Sequence, residues 1–91
     1  MSFKDDYNAF LDELEQNPFG GEPLGHHTYK NRMAIASKGK GKSGGARVIT
    51  FNVFQHEDDS IEITLLTIYD KGEISSVTDK FIKWLVSIIN G

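Results

Sequence analysis

Cysteine is missing from this 91-residue chain, and proline occurs only twice. Without thiols, neither disulfides nor thiolate metal sites can staple the fold. That absence fits a reducing compartment, and the expected location is the cytoplasm. Long apolar runs are missing too, since none approaches the roughly 18 residues that a membrane span requires. The opening "MSFKDDYNAF" lacks the basic-then-apolar layout of a secretory signal, and no membrane partner is expected. Nor is there an excess of positive charge: Lys+Arg is 10 against Asp+Glu 13, a net charge of -3. Attraction of the whole surface to nucleic acid is therefore excluded, and any such binding has to be local.

What is present is an ordinary globular composition, 38% hydrophobic and 25% charged, enough for one domain over residues 1–91 with a small core. In "SFKDDYNAFLDELEQNP", Phe3, Tyr7, Phe10, Leu11 and Leu14 share one helical face. Ser2 and Asp5 have the spacing of a capping box, and Pro18 ends the pattern. The expectation is a helix over about 3–16. "NPFGGEPLGHH" reads as a loop, and "HTYKNRMAIA" as a strand. The glycine-rich stretch from Ser37 to Gly45 reads as a mobile hairpin connection. "RVITFNVFQ" is a strand and "HEDDS" a turn. "IEITLLTIYD" is a further strand, apolar on both faces at Leu65 and Leu66 and so expected to be central. "KGEISS" is a turn, and the last helix runs from an N-cap at Thr78 to Gly91 just past its end. The predicted class is α+β: a three-stranded antiparallel meander with one helix before it and one after. Phe81, Ile82, Trp84, Leu85, Val86, Ile88 and Ile89 cover most of the last helix. The surplus lies beneath the first helix or meets another chain.

The positive charge is grouped. Lys30 and Arg32, two apart on a strand, share a face, and Arg47 opens the next strand. Three such cations suit a phosphate, or else they simply solvate a sheet face. Lys38, Lys40 and Lys42 alternate with glycine or serine in "SKGKGKSGG". They read as an arm for a nucleic-acid backbone or as a soluble hairpin tip. The stretch is not a P-loop, because it lacks that motif's glycine spacing and following helix. His26 and His27 are neighbours without the spacing of a helical zinc site, though one of them could act as a general base. His56, Glu57, Asp58 and Asp59 lack the ligand pattern of a calcium loop. No metal and no cofactor are expected. Tyr69, Asp70 and Lys71 end the last strand, either as part of an active site or as turn residues.

From about Asp5 to the end, the pieces resemble a known family. "LEQNPFGGEPLGHHTYKNR", "SKGKGKSGGARVIT" and "LLTIYDKGE", in that order, look like a toxin of the RelE/ParE superfamily from a bacterial type II toxin–antitoxin pair. The resemblance implies a small α+β domain with a twisted, mostly antiparallel sheet. RelE-like members cut mRNA on the ribosome without metal, bringing the ribose 2′-OH onto its own phosphate. ParE-like members poison DNA gyrase, and an antitoxin silences both. By the match to the motifs, Lys30, Arg32, Arg47 and Lys71 fall at the catalytic cations, with Lys38, Lys40 and Lys42 as RNA contacts. The implied partners are a cognate antitoxin, the ribosome and mRNA.

The chain also departs from the family. It opens at what is normally the second helix, so the expectation is a shortened fold with one bare sheet edge. Gly72 stands where an arginine often assists, and Val77 or Phe81 stands near the place of a terminal tyrosine. The first function that follows is a RelE-like endoribonuclease or a weakened derivative; the alternative is a silent module that binds an antitoxin or itself, or a ParE-like gyrase inhibitor. The apolar girth of the last helix and the bare sheet edge also lead to the expectation of a homodimer through one or the other.

Overall fold

Helix α1 spans Phe3–Gln16 in the computed structural model, which describes residues 2–55, 57–72 and 78–90. His56, Val77, Gly91 and the part of the "KGEISS" turn after Gly72 lie outside the described residues. The capping box forms as expected. The Ser2 hydroxyl accepts the Asp5 N–H at 3.3 Å, and the Asp5 carboxylate accepts the Ser2 N–H at 3.2 Å. These bonds satisfy two of the backbone donors that a helix start leaves unpaired. Asn17 caps the other end, just before Pro18.

Four strands follow where three were expected: β1 (Glu22–Gly25), β2 (Thr28–Met33), β3 (Ala46–Gln55) and β4 (Ser60–Asp70). They form one antiparallel sheet in the order β1-β2-β3-β4. The extra strand comes from the stretch read as a loop. Gly25 pairs with Thr28, leaving a two-residue turn in which His26 and His27 both have positive φ, 55° and 64°. A tight hairpin of this kind requires positive φ at both positions, usually met by Asn-Gly. His-His concealed it. Pro23 is tolerated because β1 is an edge, where a missing N–H costs no ladder bond.

β4 is the other edge, not a central strand. Its pairing with β3 shifts between Ile49↔Thr67 and Thr50↔Leu65, so Leu66 is a bulge. The bulge breaks the alternation of faces, which explains the apolar pair Leu65–Leu66. The core lies between α1 and the inner strands: Phe10 and Leu14 pack on Met33, Ile35, Ala46 and Val48. Helix α2 (Asp79–Asn90) begins at Thr78, whose hydroxyl accepts the Phe81 N–H at 3.1 Å. Ile82 is buried, whereas Phe81, Trp84, Ile88 and Ile89 are exposed. No helix among the described residues is long and apolar enough to cross a membrane.

The stretch after β2 is more ordered than its glycines suggest. Ala36–Lys38 form a 3-10 turn, and Ile35 and Lys40 exchange backbone hydrogen bonds of 2.9 and 3.0 Å. The turn is gripped by Asp6 on α1. Its carboxylate accepts the Ala36 N–H at 3.1 Å, the Ser37 N–H at 3.3 Å and the Ser37 hydroxyl at 2.7 Å. Gly45 is needed because a Cβ there would stand 2.3 Å from the Met33 carbonyl oxygen.

The Ser37 hydroxyl, and then the two backbone donors, hold the Asp6 carboxyl below its ordinary pKa against the opposing effect of burial. A carboxyl lowered in the folded state adds stability above its unfolded value of about 3.9, and the contribution is lost as pH falls toward the folded value. Asp6→Asn should therefore unfold earlier in urea at pH 7, and the difference from wild type should close below about pH 4. Urea titrations from pH 7 to pH 3 check this. A constant difference across that range would rule out a role for the ionised carboxylate.

Candidate functional site

β1 pairs with β2 only as far as Glu22↔Lys30, so Arg32 and Met33 lie beyond the end of β1. An open cleft of about 960 Å³ lies here, lined on one side by Phe10, Glu13 and Asn17, near the end of α1. Its other walls include Lys30, Arg32, Lys42, Arg47, Tyr69 and Lys71. Half of the chain's ten Lys and Arg residues thus converge on one concavity. Against these five cations, the lining contributes the carboxylates Glu13 and Glu22.

The strands create this convergence. Arg32 lies directly opposite Arg47, and Arg47 directly opposite Tyr69. Direct partners on an antiparallel ladder share a face, so one row runs Arg32–Arg47–Tyr69 across three strands. Two residues back on β2, Lys30 has the same parity as Arg32.

The two arginines behave differently. Arg47 is buried at 6% exposure. Its guanidinium donates to the carbonyls of Lys42 and Ser43 at 3.0 Å each and to that of Ala46 at 3.1 Å. It gathers the glycine-rich segment and has little left for a ligand. Arg32 is exposed, and its side chain makes no hydrogen bond or ion pair among the described residues. Like charges directly opposite on a ladder repel, and no carboxylate among the described residues pairs with Arg32.

The remaining cations are mostly engaged. Lys30 pairs with Glu22 at 3.0 Å, Lys42 with Glu13 at 3.0 Å and Lys40 with Asp70 at 3.4 Å. Lys71 Nζ donates to the Ser43 carbonyl at 3.2 Å. Lys38 is exposed, and its ammonium has no hydrogen-bond or ion-pair partner among the described residues. Neither Lys38 nor Lys40 lines the cleft, so the expected three-lysine arm is divided, with only Lys42 on the cleft wall. Asp70 also accepts the Gly72 N–H at 2.7 Å. That bond first, and then Lys40, hold its carboxyl below the ordinary value. His26 and His27 sit at the β1–β2 turn, outside the cleft lining.

Sequence patterns named Lys30, Arg32, Arg47, Lys71 and Lys42, all of which reach the cleft. Glu13 and Glu22 carry no motif and emerge only from the pairing. Asp6, which holds the segment in place, looks in sequence like any acidic residue in a first helical turn. No protein-family model matches the chain, and no solved structure matches it.

The two arginines should respond differently to truncation. Arg47→Ala leaves carbonyls without their charged donor and should cost on the order of 2–4 kcal/mol. Arg32→Ala should stay within about 0.5 kcal/mol, as exposed substitutions do. Urea denaturation of both variants measures this, and equal losses would contradict the division of roles.

Proposed function

We propose that this chain is a RelE/ParE-type toxin domain whose cleft binds the phosphate backbone of RNA. One observation carries the reading: the exposed guanidinium of Arg32, without a carboxylate partner among the described residues, stands opposite a second arginine and in one row with Tyr69. A planar guanidinium can bind two phosphate oxygens at once. An aromatic ring such as Tyr69 offers a stacking surface for an unpaired base.

In the RelE-like reaction, the ribose 2′-oxygen attacks the adjacent phosphorus and the bond to the 5′-oxygen breaks. The 2′-hydroxyl loses a proton and the departing 5′-oxygen gains one, leaving a 2′,3′-cyclic phosphate and a 5′-hydroxyl. Negative charge builds on the phosphoryl oxygens, where fixed cations stabilise it most. Arg32 holds those oxygens, with Lys71 and Lys30 beside it. Arg47 contributes from behind by fixing the segment that carries Lys42.

The second reading is a binding module without cleavage, engaging an antitoxin or a second copy. The buried guanidinium of Arg47 favours it, because a donor spent on carbonyls cannot also hold a reacting phosphate.

Two assays separate the readings. In a translating extract, the wild type should cleave mRNA, and Arg32→Ala should lower the rate by about 10²–10³-fold, the scale for losing one such donor. The same variant should flatten the salt dependence of single-strand RNA binding by about 0.7 in the log–log slope. Intact mRNA and unimpeded growth on induction of the wild type would remove the ribonuclease reading. An unchanged salt slope in Arg32→Ala would remove the phosphate contact itself.

A further inference from the structure

The cleft holds its own competitors. Glu13 on α1 and Glu22 on β1 both line it, and each lies 3.0 Å from a lysine that lines it too, Lys42 and Lys30 respectively. Both carboxylates sit near the surface. The Glu13 and Glu22 side chains are 55% and 63% exposed, and ion pairs this exposed add little stability. Their effect falls on whatever anion enters. Glu13 and Glu22 bring a lining of five cations down to a local charge of about +3, by counting ionised side chains at neutral pH.

Resting on the reading of the cleft as an RNA site, we infer that Glu13 and Glu22 are its specificity-determining residues. They occupy Lys42 and Lys30 until a phosphate chain displaces them. A phosphate group that reaches Lys30 must separate it from Glu22, and one that reaches Lys42 must separate it from Glu13. Each displacement exchanges one ion pair for another and leaves a carboxylate beside the incoming phosphates. Arg32, with no carboxylate partner of its own among the described residues, makes the first contact without such an exchange. The two glutamates therefore weaken binding to RNA that touches only part of the cleft, while a strand spanning Arg32, Lys30 and Lys42 recovers the loss through several contacts.

Fluorescence anisotropy with a short labelled single-stranded RNA tests the inference. Glu13→Gln and Glu22→Gln keep side-chain shape and remove the charge. Each should tighten binding roughly 2- to 5-fold at low salt, the range for exposed ion pairs, and the two gains should multiply. The gain should shrink at high salt, where exposed charges are screened. Glu57→Gln makes the same change in net charge at an exposed position outside the cleft lining, and should leave affinity unchanged. The inference is overturned if the double variant binds no tighter than wild type, or if Glu57→Gln tightens binding equally. If the double variant binds RNA and the wild type does not, the competitor role stands and the RNA reading fails for the native chain. If neither binds, both fall together.

Discussion

The cleft and the lysine segment both depend on the Arg47 guanidinium. It is a buried cation with no carboxylate partner among the described residues, held by the carbonyl oxygens of Lys42, Ser43 and Ala46. A buried charge is tolerated only when its donors are satisfied, so the segment must fold back over the start of β3. This places the Ser43 carbonyl within reach of Lys71 and lets Lys42 reach Glu13 on α1. Asp6 performs the complementary task from the other side, accepting the donors of Ala36 and Ser37. A buried cation collects carbonyls and a buried anion collects N–H groups. Between them, a sequence rich in glycine acquires a fixed path.

That path explains how a sheet face becomes a concavity. β1 stops pairing at Lys30, β2 runs on through Arg32 and Met33, and α1 ends nearby at Gln16. The returned segment supplies Lys42 as a further wall. Within the cation row across β2 and β3, Arg47 is buried and Arg32 stays exposed.

Periodicity made α1 legible from Phe3 to Gln16, because five apolar residues and a capping box agree with one another. It made β2 and β3 legible for the same reason, and with them the shared face of Lys30 and Arg32. β1 was hidden because its turn has His26 and His27 where the usual signal is Asn-Gly. β4 was misplaced because the bulge at Leu66 imitates a strand buried on both faces. In the site, residue type was readable and commitment was not. Arg47 and Arg32 look equivalent in sequence, yet one is consumed by backbone carbonyls and the other faces the cleft. Lys38, Lys40 and Lys42 looked like a free arm, but the acids that bind Lys40 and Lys42 lie 30 and 29 positions away in the chain, and the one that binds Lys30 lies 8 away. No local pattern encodes pairs so far apart.

An acidic protein with a cationic cleft poses no electrostatic contradiction at physiological salt. The chain extends 40 × 30 × 19 Å, whereas exposed charges are screened beyond about 8 Å at that ionic strength. An anion at Arg32 therefore responds to the lining of the cleft far more than to carboxylates elsewhere on the surface. The overall charge of -3 acts mainly at longer range, where it slows the approach of a polyanion without deciding how tightly it is held. An anion entering the cleft would meet five cations and two carboxylates at close range, and because the Arg47 guanidinium is spent on the carbonyls of Lys42, Ser43 and Ala46, Arg32 is the arginine left open toward it.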